Sequence, residues 1–106
     1  MTLTEFLLAR IDEDEKVAQS ATEGPWEAHT GAYRMASLVR GDVWIGDIDH
    51  DPDVAHIARH DPARVLAECE AKRQLIERVG NPDWAGFRIL ATPYTDHPDY
   101  RQEWKP

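Results

Sequence analysis

Residues 40–62 read RGDVWIGDIDHDPDVAHIARHDP, and the handover from strand to helix inside this stretch sets the fold. Gly41 stands first of two residues between Arg40 and Val43, an arrangement that suits a type II′ hairpin. Val43 to Ile48 then reads as a strand, rich in Val, Trp and Ile. Asp51-Pro52 and Asp61-Pro62 each place a capping residue before a proline at the first helical position. The first of these two helices must stop near His60, because the residue before a proline is pushed out of the helical region.

Upstream, Trp26 to His29 and Tyr33 to Arg40 are two further short extended segments, so 26–49 is expected to form a three-stranded antiparallel meander. Before Gly24-Pro25, Leu3, Leu7, Ile11 and Ala18 recur at helical spacing with Phe6 and Val17 on the same side. Thr2 with Glu5 resembles a capping box, and a helix over 3–21 follows. Downstream, a second helix from Pro62 to about Val79 carries Val65, Leu66, Cys69, Leu75, Ile76 and Val79 on one stripe, with Glu68 and Lys72 as an i,i+4 pair on the wet side. Asn81-Pro82 reads as another capped start, and 82–106 as a short helix followed by a tail rich in Pro and aromatic residues, packed by Tyr94, Tyr100 and Trp104. At 106 residues the chain is expected to be one small α+β domain, in which the N-terminal helix and a C-terminal helical pair cover one face of the sheet. Trp26 and Trp44, on strands, are expected in its core.

Charge is unevenly placed. The formal net charge is −8, and it resides wholly in two blocks: 1–20, with a net of −3, and 41–61, with a net of −5. An acidic chain is repelled by a phosphate backbone at long range, so direct nucleic-acid binding is not expected. Capping accounts for Asp51 and Asp61. Asp47, Asp49 and Asp53 are left without a structural role, and they are the candidate partner-binding acids, joined by Tyr100 and Trp104 of the tail. Solvation of a wet face is the competing account of the acids, and packing of the tail the competing account of the aromatics.

Asp53, His56 and His60 fall within an arc of about 60° on one helix and could face a divalent metal, with Asp49 or His50 as a fourth ligand. Ile57 and Ala58 lie between the histidines, where a metalloprotease would need its glutamate. The alternate acids Asp47, Asp49, Asp51 and Asp53 echo a calcium loop, but Pro52 stands where the turn glycine belongs and Ala58 where the bidentate glutamate belongs. Ser20 and Ser37 have no nucleophile-elbow context, and Gly41 and Gly46 make no phosphate loop, so no catalytic residue is assigned and no enzyme activity is expected. The lone Cys69 forms neither an internal disulfide nor a multi-thiolate site. No basic n-region opens the chain and no run nears the ~18 apolar residues of a membrane span, so a cytoplasmic location in a bacterial host is expected, with no membrane association.

Asp53 to Glu68, continuing through Glu70, Lys72 and Arg73, resembles the signature of an uncharacterised family of actinobacteria and their phages, domain-of-unknown-function 6221. The opening from Phe6 to Glu15 leading to Gly24-Pro25-Trp26, and the ending Tyr94 to Arg101 up to Trp104 and Pro106, resemble the same family in the same order. The family has no established activity. Many relatives look longer before the tail, with cysteines in a zinc-like spacing, whereas 78–90 here holds none, so no metal role carries over from that segment. The pattern is also similar to small accessory proteins of tailed phages. The resemblance and the charge map together lead to the expectation of a non-catalytic phage or prophage accessory protein that binds a cellular or host protein through its acidic surface, with no cofactor. A divalent-metal protein using Asp53, His56 and His60, an acidic DNA mimic that occupies a nucleic-acid-binding protein, and a homodimer formed through the tail are the alternatives.

Overall fold

Helix α1 (Leu3–Ser20) opens the chain, and strands β1 (Glu27–His29), β2 (Ala36–Arg40) and β3 (Val43–Ile48) follow. Helices α2 (Asp51–Arg59), α3 (Pro62–Val79) and α4 (Ala85–Leu90) come next, and the tail adds single 3-10 turns at Thr92–Tyr94 and Gln102–Trp104. This computed structural model describes residues 1–30 and 36–106, so the expected start of the second strand at Tyr33 lies outside the described residues. The fold is α+β, as the sequence predicts. No helix among the described residues is long and apolar enough to cross a membrane.

The local signals act as their chemistry requires. The Thr2 backbone N–H donates to Glu5 Oε1 at 3.1 Å while the Glu5 N–H donates to Thr2 Oγ1 at 3.2 Å, a reciprocal capping box. The Thr2 backbone N–H first, and the Thr2 hydroxyl second, donate to the Glu5 carboxyl and hold it below the usual carboxylate range. Asp61 caps α3 by accepting from the Arg64 N–H at 2.9 Å. Two expected caps are corrected. The capping position of α2 belongs to His50, with Asp51 and Pro52 already inside the first turn, where the acid still faces the positive end of the helix. Asn81 accepts from the Asp83 N–H at 3.0 Å in an Asx turn, and α4 begins only after Trp84.

Two compact units are distinguished: Met1–Asp14 with Cys69–Pro106, and Glu15–Glu68. In the first, Phe6 is fully buried amid aromatic rings, with Trp104 at 5.1 Å, His97 at 5.6 Å, Tyr100 at 6.0 Å and Tyr94 at 6.3 Å between centroids. Leu7, Phe87 and Ala91 complete this core. The buried Arg10 lies 5.0 Å over the Phe6 ring, donates to Glu13 at 2.9 Å and meets His97 Nδ1 at 2.8 Å. The Asp99 N–H reaches the same Nδ1 at 3.0 Å, and two donors on one nitrogen place the ring proton on Nε2. Tyr94 donates to Asp14 at 2.9 Å, and burial followed by this bond pushes its phenol well above the usual range. Cys69 is buried beside the Ile11 carbonyl, 3.9 Å from Sγ to oxygen.

In the second unit the strands pair antiparallel in the order β1-β2-β3, and α2 lies against them through Val54, Ile57 and Ala58. Ala36, Leu38 and Val54 are the buried heart of this cluster, with Trp26, Ala28, Ile45 and Ile48 around it. Phe6 and Leu7 join the aromatic core of the first unit, where large rings supply more apolar contact than the short strands offer. Val17, expected on the apolar side of α1, is 71% exposed, because azimuth buries a side chain only where another element faces it. Glu68 pairs at 2.9 Å with Arg64, one turn before it, in place of the expected Lys72, one turn after it.

Candidate functional site

The site begins with an irregularity in β3. Leu38 pairs with Gly46, but its neighbour Val39 pairs with Trp44, so Ile45 is an extra residue and the strand carries a bulge. Strict alternation would put Trp44 on the face opposite Asp47. With the extra residue, Trp44 and Asp47 share one face with Val39 and Ser37, and Glu27 and His29 of β1 continue it. This is the face turned away from Ala36, Leu38 and α2. Trp44, expected in the core, is accordingly 63% exposed. Gly46 was the available signal, since an isolated glycine within a strand pattern marks a bulge.

Asp47 holds this face in order. Its Oδ1 accepts from the Trp44 indole at 2.9 Å and from the Ser37 hydroxyl at 2.8 Å. Those bonds, the indole's first, keep the exposed carboxyl below the usual carboxylate range. Asp47 is thus a positioning acid, which aims an aromatic ring along the open face of the sheet. Asp49 follows the end of β3 and is exposed. Asp53 is exposed in the first turn of α2, with Oδ1 3.2 Å from His50 Nδ1. Asp42, in the turn before β3, is exposed like Asp49 after it, whereas Asp51 and Asp53 belong to α2, which packs on the other face of the sheet.

His56 and His60 come together on α2 with ring centroids 4.3 Å apart. His60 Nδ1 is 2.9 Å from the His56 carbonyl, which occupies that nitrogen with the helix end. Among the described residues no group of three His, Cys, Asp or Glu side chains is gathered for a metal ion. Tyr100 and Trp104 lie elsewhere, in the first unit, and are only 8% and 7% exposed. Their rings form the wall around Phe6, so they offer no face to a partner; burial of two large rings outweighs any gain from leaving them in water.

What the fold and the sheet face define is a small α+β protein with an acid-bordered aromatic surface. The chain belongs to DUF6221, a family of unknown function whose model matches residues 1–106. No curated protein and no solved structure matches the chain.

Proposed function

We propose that this protein is a non-catalytic binding module that takes a segment of a cellular protein onto the open face of its sheet. The observation that supports this reading is the exposed Trp44 ring, tethered by a carboxylate that also accepts from Ser37. Ordering a large indole in water before any partner arrives lowers the entropy lost on binding. Tryptophan is among the residues that most often dominate interface energetics, and the neighbouring Val43 is also exposed. The acids at the two ends of β3, Asp42 and Asp49, match a segment carrying Lys or Arg beside an apolar side chain, with Asp53 on the adjoining helix adding to the long-range field, and they set encounter rate and partner choice more than affinity. Assignment to a phage or prophage accessory role rests on the sequence resemblance alone.

The probe is a pair of labelled extended peptides, one alternating Lys with Leu and one alternating Glu with Leu, followed by fluorescence anisotropy. The basic peptide is expected to bind, with affinity that falls as salt rises, and to weaken about tenfold or more with Trp44→Ala. Equal binding of the two peptides, or a Trp44→Ala variant that binds as the wild type does, would overturn the proposal.

A further inference from the structure

A cavity of about 560 Å³ opens in the first unit, between the start of α1, the turn before α4 and the last 3-10 turn. Its size lies within the range of small-molecule pockets, roughly 300–1,000 Å³. One wall is the Trp84 indole, 40% exposed and perpendicular to Phe87 at 5.1 Å. That ring is posed by its neighbour: a Cβ on Gly86 would come within 2.4 to 2.5 Å of three indole carbons, so the ring can lie where it does only over a residue without a side chain. The lining also includes Arg101, which meets Glu103 at 3.4 Å and sits 5.8 Å from the Trp104 ring.

Arg101 and Glu103 thus answer one another. Two other charged side chains on the same cavity do not. Arg88 and Asp83 both line it, and neither side chain has an ion pair or hydrogen bond among the described residues. The two are not within 4.0 Å of each other, the reach of an ion pair. One cation and one anion held apart beside an oriented aromatic ring suit a molecule with both signs and a flat apolar group. We infer that this cavity binds a free aromatic α-amino acid, with its carboxylate on Arg88, its ammonium on Asp83 and its ring against Trp84. A guanidinium offers a carboxylate two parallel hydrogen bonds, whereas a single acid suits the compact ammonium. A singly charged anion leaves Asp83 unanswered, and a phosphate ester would also crowd Asp83 and Glu103 with like charge.

Ligand-observed NMR with L-phenylalanine, 3-phenylpropionate, phenethylamine and L-alanine tests each part of the ligand separately. L-Phenylalanine is expected to bind, and loss of its amine, its carboxylate or its ring to weaken binding about tenfold each. Arg88→Met is expected to abolish the preference for phenylalanine over phenethylamine and leave its preference over 3-phenylpropionate, and Asp83→Asn to do the reverse. Gly86→Ala, which removes no ligand contact, is expected to weaken all aromatic probes by displacing the indole. Both charged residues are exposed, so unchanged melting curves verify that the variants are folded. No saturation transfer from L-phenylalanine at about 10 mM, or the same ligand ranking in wild type and both charge variants, overturns the assignment.

Discussion

Asp47 shows at the residue scale how one carboxylate sets the character of a surface. Its folded-state pKa is depressed by bonds from Trp44 and Ser37, so its contribution is present above the unfolded carboxyl value of about 3.9 and is lost as pH falls through the lower folded value. The near-UV circular dichroism of Trp44, taken as the difference between wild type and Trp44→Phe, is therefore expected to be constant at neutral pH and to collapse only below about pH 4. An Asp47→Asn variant should show no such transition, because an amide does not titrate there. A midpoint near neutrality would assign the ring's orientation to another group. The acid itself was legible in the sequence as one left over after capping. Its partner was not, because hydrogen bonds between β3 positions three apart arise only when a bulge brings those positions to one face.

Asp61 does the equivalent work for whole elements. One oxygen caps α3 through the Arg64 N–H, and the other accepts from the Trp26 N–H at 2.8 Å, which binds the start of the sheet to the start of the helix. Gly24 closes the same junction: a Cβ there would stand 2.8 Å from Ala63 Cβ and 2.9 Å from Asp61 Oδ2. Asp61→Ala removes the cap and leaves the Trp26 N–H without its acceptor, so a loss of about 1–3 kcal/mol in urea unfolding is expected. A loss below about 0.5 kcal/mol would show that water replaces both bonds at little cost. The capping role was legible from Asp61-Pro62 because a cap reaches only three residues. The second bond spans thirty-five residues and has no local trace in the sequence.

At the scale of the molecule, stability depends on cores that a chain of this size builds from few side chains. Trp104 and Tyr100 both pack on Phe6, but their polar atoms differ: the buried Tyr100 hydroxyl has no hydrogen-bond partner among the described residues. Trp104→Ala is expected to cost about 3–5 kcal/mol, a large part of the roughly 5–15 kcal/mol that stabilises a domain. Tyr100→Phe keeps the ring and removes an unpaired hydroxyl, so its stability should equal or exceed the wild type's. Thermal and urea unfolding of the two variants provide the check, and a destabilised Tyr100→Phe would reveal a partner for that hydroxyl. The formal charge of −8 belongs to this scale as well, since it disfavours a phosphate backbone as partner and is one premise of the basic segment proposed for the Trp44 face.

By itself the sequence determined the order of helices and strands, the capping box at Thr2 and Glu5, the Asp61 cap, the hairpin at Gly41 and the concentration of acid around β3. Each depends on hydrogen bonds, backbone dihedrals or charges within about four residues of one another, and such short-range terms are written directly in the chain. Tertiary structure alone decided that Trp44 faces water while Tyr100 and Trp104 are buried, that Val17 is uncovered, and that Phe6 packs with the tail. Those outcomes follow from competition among distant elements for a limited apolar surface, and from one extra strand residue that exchanges inner and outer faces.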